Sequence, residues 1–304
     1  MIDLVAPEQQ QLIALGGEYR FKGEGRLRIE GSRSNLDLNR FSDVDGADDA
    51  GSALRVDLDR TLQFGPDSLG WSLAGRGQYE FVQSTYNFIN PYRSPEFFRN
   101  WNLSNRLGTT VPEPENEQII GAGFGLIKER IGRVDYDYEQ FQRGNSYDGR
   151  RHAAQLQLAT KGWRINGAAS LLDSRAEDGE GSFRRPSLSL AKTFEKLGGW
   201  TLKTDYQGER SVRRPVDSDT LSRLSFQFDR YAVGLDAPGN ENYRFGLSAN
   251  QRTDLLPRGT ELVTATRARE IAAEGNYTAG KNVQLGGGRS VRPGNPSSAS
   301  SRRV

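Results

Sequence analysis

The sequence has no cysteine and a single histidine, His152, in 304 residues. Without thiols it has no disulfide framework, no thiolate metal site and no cysteine nucleophile. It lacks any run of about 18 apolar residues, so no transmembrane helix is encoded, although a barrel would hide its apolar residues at every second position. It has almost no charge imbalance, with 41 basic against 39 acidic residues, which gives no argument for a nucleic-acid partner. Met1-Ile2-Asp3-Leu4 shows no basic stretch followed by an apolar one, so no signal peptide is visible there.

What the chain does contain is alternation. Over residues 52–64, Leu54, Val56, Leu58, Leu62 and Phe64 share one parity, and Arg55, Asp57, Asp59, Thr61 and Gln63 the other. A period of two marks a strand that is apolar on one face and wet on the other. Residues 65–70 supply turn chemistry, with Pro66 fixing φ and glycines at both ends. Residues 71–82 then return with Trp71, Leu73, Tyr79 and Phe81 opposite Arg76, Gln78 and Glu80. Both runs are long enough to cross a bilayer when tilted, which takes roughly 9–11 residues.

The rest of the chain repeats this hairpin. Further runs are expected at 12–21, 26–39, 118–127, 133–143, 150–159, 163–173, 183–195, 200–210, 221–235, 243–252, 263–278 and 283–288. The fold class expected is therefore all-β, an antiparallel up-and-down meander of about 14 long strands. The pattern divides the chain into a lead-in (1–11), a strand region (12–290) and a disordered, low-complexity tail (291–304). Short turns and longer loops are expected to alternate throughout, the longer loops including 40–51, 83–117, 144–149, 174–182, 211–220 and 253–261. Three short turns are followed at once by Gly-Trp, at Trp71, Trp163 and Trp200, where an indole at a strand end suits a membrane interface. Arg60 and Lys192 interrupt the apolar parity close to short turns, where a basic side chain can snorkel.

This texture resembles a Gram-negative outer-membrane β-barrel, and the Asp-, Arg-, Gly- and Tyr-rich hairpins look like those of large Bacteroidota-type barrels. The resemblance covers roughly residues 12–290 and matches no particular family. It implies a transmembrane β-barrel or part of one, in contact with outer-membrane lipid and located in the outer membrane. It further implies a non-enzymatic role as pore, transporter wall or assembly and secretion scaffold. The missing signal peptide and the missing C-terminal strand ending in an aromatic residue suggest a piece of a longer barrel. A soluble or surface-attached all-β protein is the alternative, because alternation alone does not say whether the apolar face meets lipid or another sheet. A barrel enzyme is the second alternative, disfavoured because His152 has the parity of Ala154, Leu156 and Leu158.

Candidate sites follow from the wet parity and the loops. Arg55, Asp57, Asp59, Arg76, Glu80, Asp135, Asp137, Glu139, Lys203, Asp205 and Glu209 would line a lumen, their mixed signs suggesting a structural ladder of ion pairs. Tyr86, Phe88, Tyr92, Phe97, Phe98 and Trp101 crowd the long loop 83–117. They read either as local packing over the rim or as a contact surface for another envelope protein. Asp43, Asp45 and Asp48 form a weak Ca²⁺ candidate, but the glycine spacing and the absent distal Glu depart from an EF-hand. Residues 275–282 approach a phosphate-binding loop, yet Asn282 replaces the Ser or Thr, and a hairpin turn is the better reading. No cofactor is expected.

Overall fold

The structure, a computed structural model, describes residues 7–41, 49–65, 70–90, 92–103, 114–239, 243–279 and 283–291, with the backbone alone beyond residue 275. The three Asp of the Ca²⁺ candidate, residues 280–282 and the tail from 292 lie outside the described residues.

Fourteen strands follow one another in a single antiparallel sheet whose spatial order is the chain order. They are β1 (Gln9–Phe21), β2 (Gly25–Asp37), β3 (Ala50–Phe64), β4 (Trp71–Val82), β5 (Glu117–Lys128), β6 (Gly132–Arg143) and β7 (Tyr147–Thr160). They continue as β8 (Trp163–Ala176), β9 (Gly179–Phe194), β10 (Trp200–Pro215), β11 (Phe226–Asp236), β12 (Tyr243–Arg258), β13 (Glu261–Ala279) and β14 (Val283–Val291). One turn of helix, α1 (Phe97–Asn100), interrupts the long loop. The meander and its strand number are as the alternation implied. Every pairing joins chain neighbours, so each hairpin closes with little loop entropy.

The strands are longer than alternation alone indicated. β1 begins at Gln9 rather than after residue 11, and β14 ends at Val291. The expected loops 144–149, 174–182 and 253–261 shrink to the connections 144–146, 177–178 and 259–260, because β7, β8, β9 and β12 run on into them. Half of 211–220 is likewise strand: β10 continues to Pro215, and the connection is 216–225. The short-long rhythm therefore holds only in part. Connections after odd-numbered strands are all short, whereas those after even-numbered strands are long after β2, β4 and β10 and tight after β6, β8 and β12. The reason is local. Where both faces of a strand are wet, apolar alternation fades although the ladder persists, as at Ser174, whose hydroxyl donates to Gly181 O, and Arg175, which pairs with Glu180 at 3.0 Å.

The chain forms two compact units, one of residues 1–128, 135–153 and 172–181, the other of 129–134, 154–171 and 182–304. In the first, the register sets Leu54 against Phe81, Val56 against Tyr79 and Leu62 against Leu73 on one face, and Arg55 against Glu80 and Asp59 against Arg76 on the other. Its buried apolar residues are Val82, Trp101, Ile119, Phe141, Tyr147 and Leu172. In the second, only Phe183 and Val212 are buried apolar residues among those described. Among the described residues, buried apolar side chains are thus few in both units.

Candidate functional site: a polar sheet face under a folded loop

The two faces of the sheet differ in what covers them. On the apolar face of β3–β5, Leu54, Leu58, Leu62, Phe64, Trp71, Leu73, Ile120, Phe124 and Leu126 are 37–53% exposed. The second unit does the same with Leu188, Leu202, Val233, Leu235, Phe245, Leu247 and Ile271. Such continuous apolar surface is far beyond what a water-facing monomer leaves open. Trp71, Trp163 and Trp200 each begin a strand, β4, β8 and β10. The Lys128 ammonium lies over the Trp71 ring at 5.1 Å, and that of Lys192 over Trp163 at 5.0 Å. Arg60 lies over Phe21 at 5.9 Å. His152 is exposed on this face, its Nδ1 2.7 Å from the Tyr136 hydroxyl and its ring 5.2 Å from Tyr138. No acyl-transfer arrangement forms around it.

The opposite face carries the charged residues. In the first unit Arg26 pairs with Asp59 at 3.0 Å, Arg55 with Asp57 at 2.9 Å, and Arg55 with Glu80 at 3.5 Å. Arg76 is different: its two guanidinium nitrogens reach Asp135 at 3.1 Å and Asp137 at 2.8 Å, residues of β6 rather than of adjoining β5. Gln78 makes the same reach, donating to Glu139 at 3.0 Å. Both cross β5 above Gly121 and Gly123, where an added Cβ would overlap the Gln78 side chain and Asp137 Oδ1 respectively. Gly121 and Gly123 leave β5 without a side chain on this face at these two positions. They are a window that lets β4 hold β6. Arg26, Arg28, Arg55, Asp57, Asp59, Arg76, Asp137 and Glu139 line a hollow of about 310 Å³.

In the second unit Lys203 pairs with Asp236. Asp205 and Arg230 line a separate hollow of about 500 Å³ whose wall mixes amides such as Gln155 and Gln207 with apolar Leu156, Leu188 and Ala232. Glu209 stands opposite Phe228 on β11. So the unit 1 residues of the ladder form several ion-paired clusters, Arg26–Asp59, Asp57–Arg55–Glu80 and Asp135–Arg76–Asp137, whereas in the second unit Lys203 pairs with Asp236 across β10–β11.

The long loop settles on the charged face of the first unit. It is pinned first by backbone and hydroxyl contacts. Thr85 Oγ1 donates to Ala50 O at 2.7 Å, Asn87 N donates to Ser34 Oγ at 2.9 Å, and the Tyr86 and Ser32 hydroxyls meet at 2.7 Å. Gly51 permits this approach, since a Cβ there would overlap the Tyr86 backbone nitrogen. Arg93 then sits between Glu80 at 2.5 Å and Glu117 at 2.8 Å, its guanidinium over Phe97 at 4.2 Å and Tyr92 at 4.4 Å. Tyr92 stacks on Phe88 at 3.8 Å, and burial pushes its phenol above the ordinary range against the opposing pull of Arg93. Finally Trp101, 2% exposed, packs 5.3 Å from Phe141, and its carbonyl accepts the Tyr147 hydroxyl at 2.6 Å. Phe97 also stands 5.3 Å from Phe141 and 5.6 Å from Phe98. Of the aromatic residues read either as local packing or as a contact surface, Trp101 is packed inside the protein, while Phe88 and Tyr92 keep exposed edges.

Under the loop, Arg55, Glu80, Arg93, Glu139 and Arg151 surround a cleft of about 220 Å³, and Arg151 pairs with Glu139 while lying over the Trp101 ring at 5.5 Å. Positive and negative groups alternate around this cleft, with the rings of Phe97 and Trp101 at its side. It offers no nucleophile–base pair.

No protein-family model matches this sequence, and no curated protein matches it either. A solved structure that aligns with it is the crystal structure of Pseudomonas aeruginosa OccK9 (OpdG), at 14% identity, covering 93% of this chain and 86% of that one, with a TM-score of 0.35. That score is too low to carry a conclusion about fold or activity.

Proposed function

We propose that this chain forms the wall of a non-enzymatic outer-membrane β-barrel pore, its apolar face toward lipid and its charged face toward a lumen. The lining would include Arg55, Asp57, Asp59, Arg76, Glu80, Asp135, Asp137, Glu139, Lys203, Asp205 and Glu209. Trp71, Trp163 and Trp200 would stand in an interfacial girdle. Loop residues 83–103 would lie on the lumen side and set the passage width beside Arg93 and Arg151.

One observation carries this reading: the alternating apolar residues are uncovered on one face, while the loop, the ion pairs and the few buried aromatics all lie on the other. A soluble sandwich would show the reverse, with its apolar face packed against a second sheet. A transporter wall or secretion scaffold would share the lipid-facing surface, but the narrowing loop favours a pore.

The test is electrical. Refolded protein added to a planar bilayer is expected to give discrete, ohmic conductance steps. Protein that enters the bilayer as folded β-structure and gives no steps at any concentration contradicts the pore.

A further inference from the structure

The seven lysines of this chain are not scattered. Lys22, Lys161, Lys196 and Lys281 fall in connections after odd-numbered strands, and Lys128, Lys192 and Lys203 lie within four residues of such a connection. None lies in or beside a connection after an even-numbered strand, although arginines occur there freely, for example Arg40, Arg175 and Arg223. The three strand-leading tryptophans mark the same set of connections.

Chemistry separates the two cations. An ammonium on a four-carbon stem is a compact charge that snorkels from an apolar wall into a headgroup layer, whereas a guanidinium makes planar, fixed pairs. Here Arg26, Arg55 and Arg76 are held in ion pairs with carboxylates on the charged face. Two lysines instead stand over exposed indoles. Each compact unit repeats the arrangement independently: Lys128 of β5 over Trp71 of β4 at 5.1 Å, and Lys192 of β9 over Trp163 of β8 at 5.0 Å. Lys192 is further fixed by donating to Lys161 O at 2.8 Å, so the ammonium is held at the turn.

We propose that these Lys–Trp pairs are binding sites for the phosphates of anionic phospholipids, one at each hairpin end, in the leaflet that meets the connections after odd-numbered strands. This rests on the lipid-facing reading of the apolar surface given above. The indole sits in the headgroup layer with its N–H wet, and the lysine beside it attracts a headgroup of opposite charge. The same pairs fix the orientation of the sheet, because the long connections after β2, β4 and β10 must then face the other side of the membrane.

The experiment uses the refolded full chain in phosphatidylcholine vesicles that contain brominated phosphatidylcholine or brominated phosphatidylglycerol. Quenching of tryptophan, expressed relative to unbrominated vesicles, reports which headgroup occupies the sites beside Trp71 and Trp163. The wild type is expected to prefer phosphatidylglycerol about fivefold per site. Lys128→Gln with Lys192→Gln is expected to bring the ratio near one, and Lys128→Arg with Lys192→Arg to keep it, which separates charge from loss of fold. Equal quenching by the two lipids in the wild type overturns the proposal, as does a preference that survives the Gln substitutions. A preference abolished by millimolar inorganic phosphate overturns the lipid assignment and gives the site to a soluble anion. No quenching by either brominated lipid overturns the membrane reading itself, a different outcome from quenching without preference.

Discussion

Arg76 binds the strand beyond its neighbour because β5 offers it no side chain to climb over. That makes glycine the informative residue type on the polar face, and the three close-approach positions form an ordered series. At Gly51 a Cβ meets the Tyr86 backbone, which cannot move without lifting the loop; at Gly123 it meets Asp137 Oδ1 and the Tyr136 carbonyl at 3.1 Å; at Gly121 it meets only the flexible Gln78 side chain. Thermal unfolding in detergent is therefore expected to rank the losses Gly51→Ala largest, Gly123→Ala intermediate and Gly121→Ala smallest. The first should cost about 1–3 kcal/mol, the overpacking range. A Gly51→Ala variant as stable as wild type would mean that the loop does not lie on β3. Asp and Arg at alternating positions announced ion pairs, and Arg55–Glu80 across β3–β4 could be read from the sequence. The Arg76–Asp135–Asp137 bridge could not, since the signal was an absence of side chains at Gly121 and Gly123, and such absences look like ordinary strand glycines.

At the scale of elements, loop residues 83–103 are held by a sequence of latches of which Arg93 is the most exacting, with two carboxylates and two aromatic rings on one guanidinium. Arg93→Ala leaves Glu80 and Glu117 without that cation and is expected to weaken the docked loop by about 3 kcal/mol. Single-channel recording should then show larger or noisier conductance than wild type, and trypsin should cut at Arg99 more readily. Unchanged conductance and unchanged cleavage would show that the latch lies elsewhere. Connection lengths give a second expectation. Arg223 lies in the connection 216–225, whereas Arg175 lies in β8 beside the tight turn 177–178 and pairs with Glu180. Limited trypsinolysis of the folded protein should cut after Arg223 well before Arg175. Cleavage at Arg175 first would restore the longer loop that its composition suggests. The hairpin β3–β4 was legible almost residue by residue because one of its faces is apolar. The upper parts of β8, β9 and β12 were not, because Ser, Arg, Asp and Gly on two wet faces look alike in strand and loop. The aromatic crowd of the long loop was visible as a crowd, but its docking depends on Gly51, Ser32, Ser34 and Phe141, contacts from three other strands that no local pattern connects.

For the molecule as a whole, the sequence specified which residues share a face but not what that face meets. Exposure bears on this: the residues that alternation marks as apolar are largely uncovered, and the buried apolar residues among those described are few. In water a surface of this kind aggregates, whereas in lipid it is satisfied, and the strands between the two edges, β1 and β14, have neighbours on both sides within the sheet. Lipid contact is thus the central claim, and depth-resolved quenching tests it most directly. Refolded protein carrying Leu58→Trp in the middle of β3 would be compared with wild type in vesicles of phosphatidylcholine brominated near either end of the acyl chain. Trp71, Trp163 and Trp200 should be quenched best by bromine near the headgroups, and the added indole at position 58 best by bromine deep in the chain. Folded protein whose tryptophans are untouched by bromine at either depth would contradict the account and return the apolar face to a protein core.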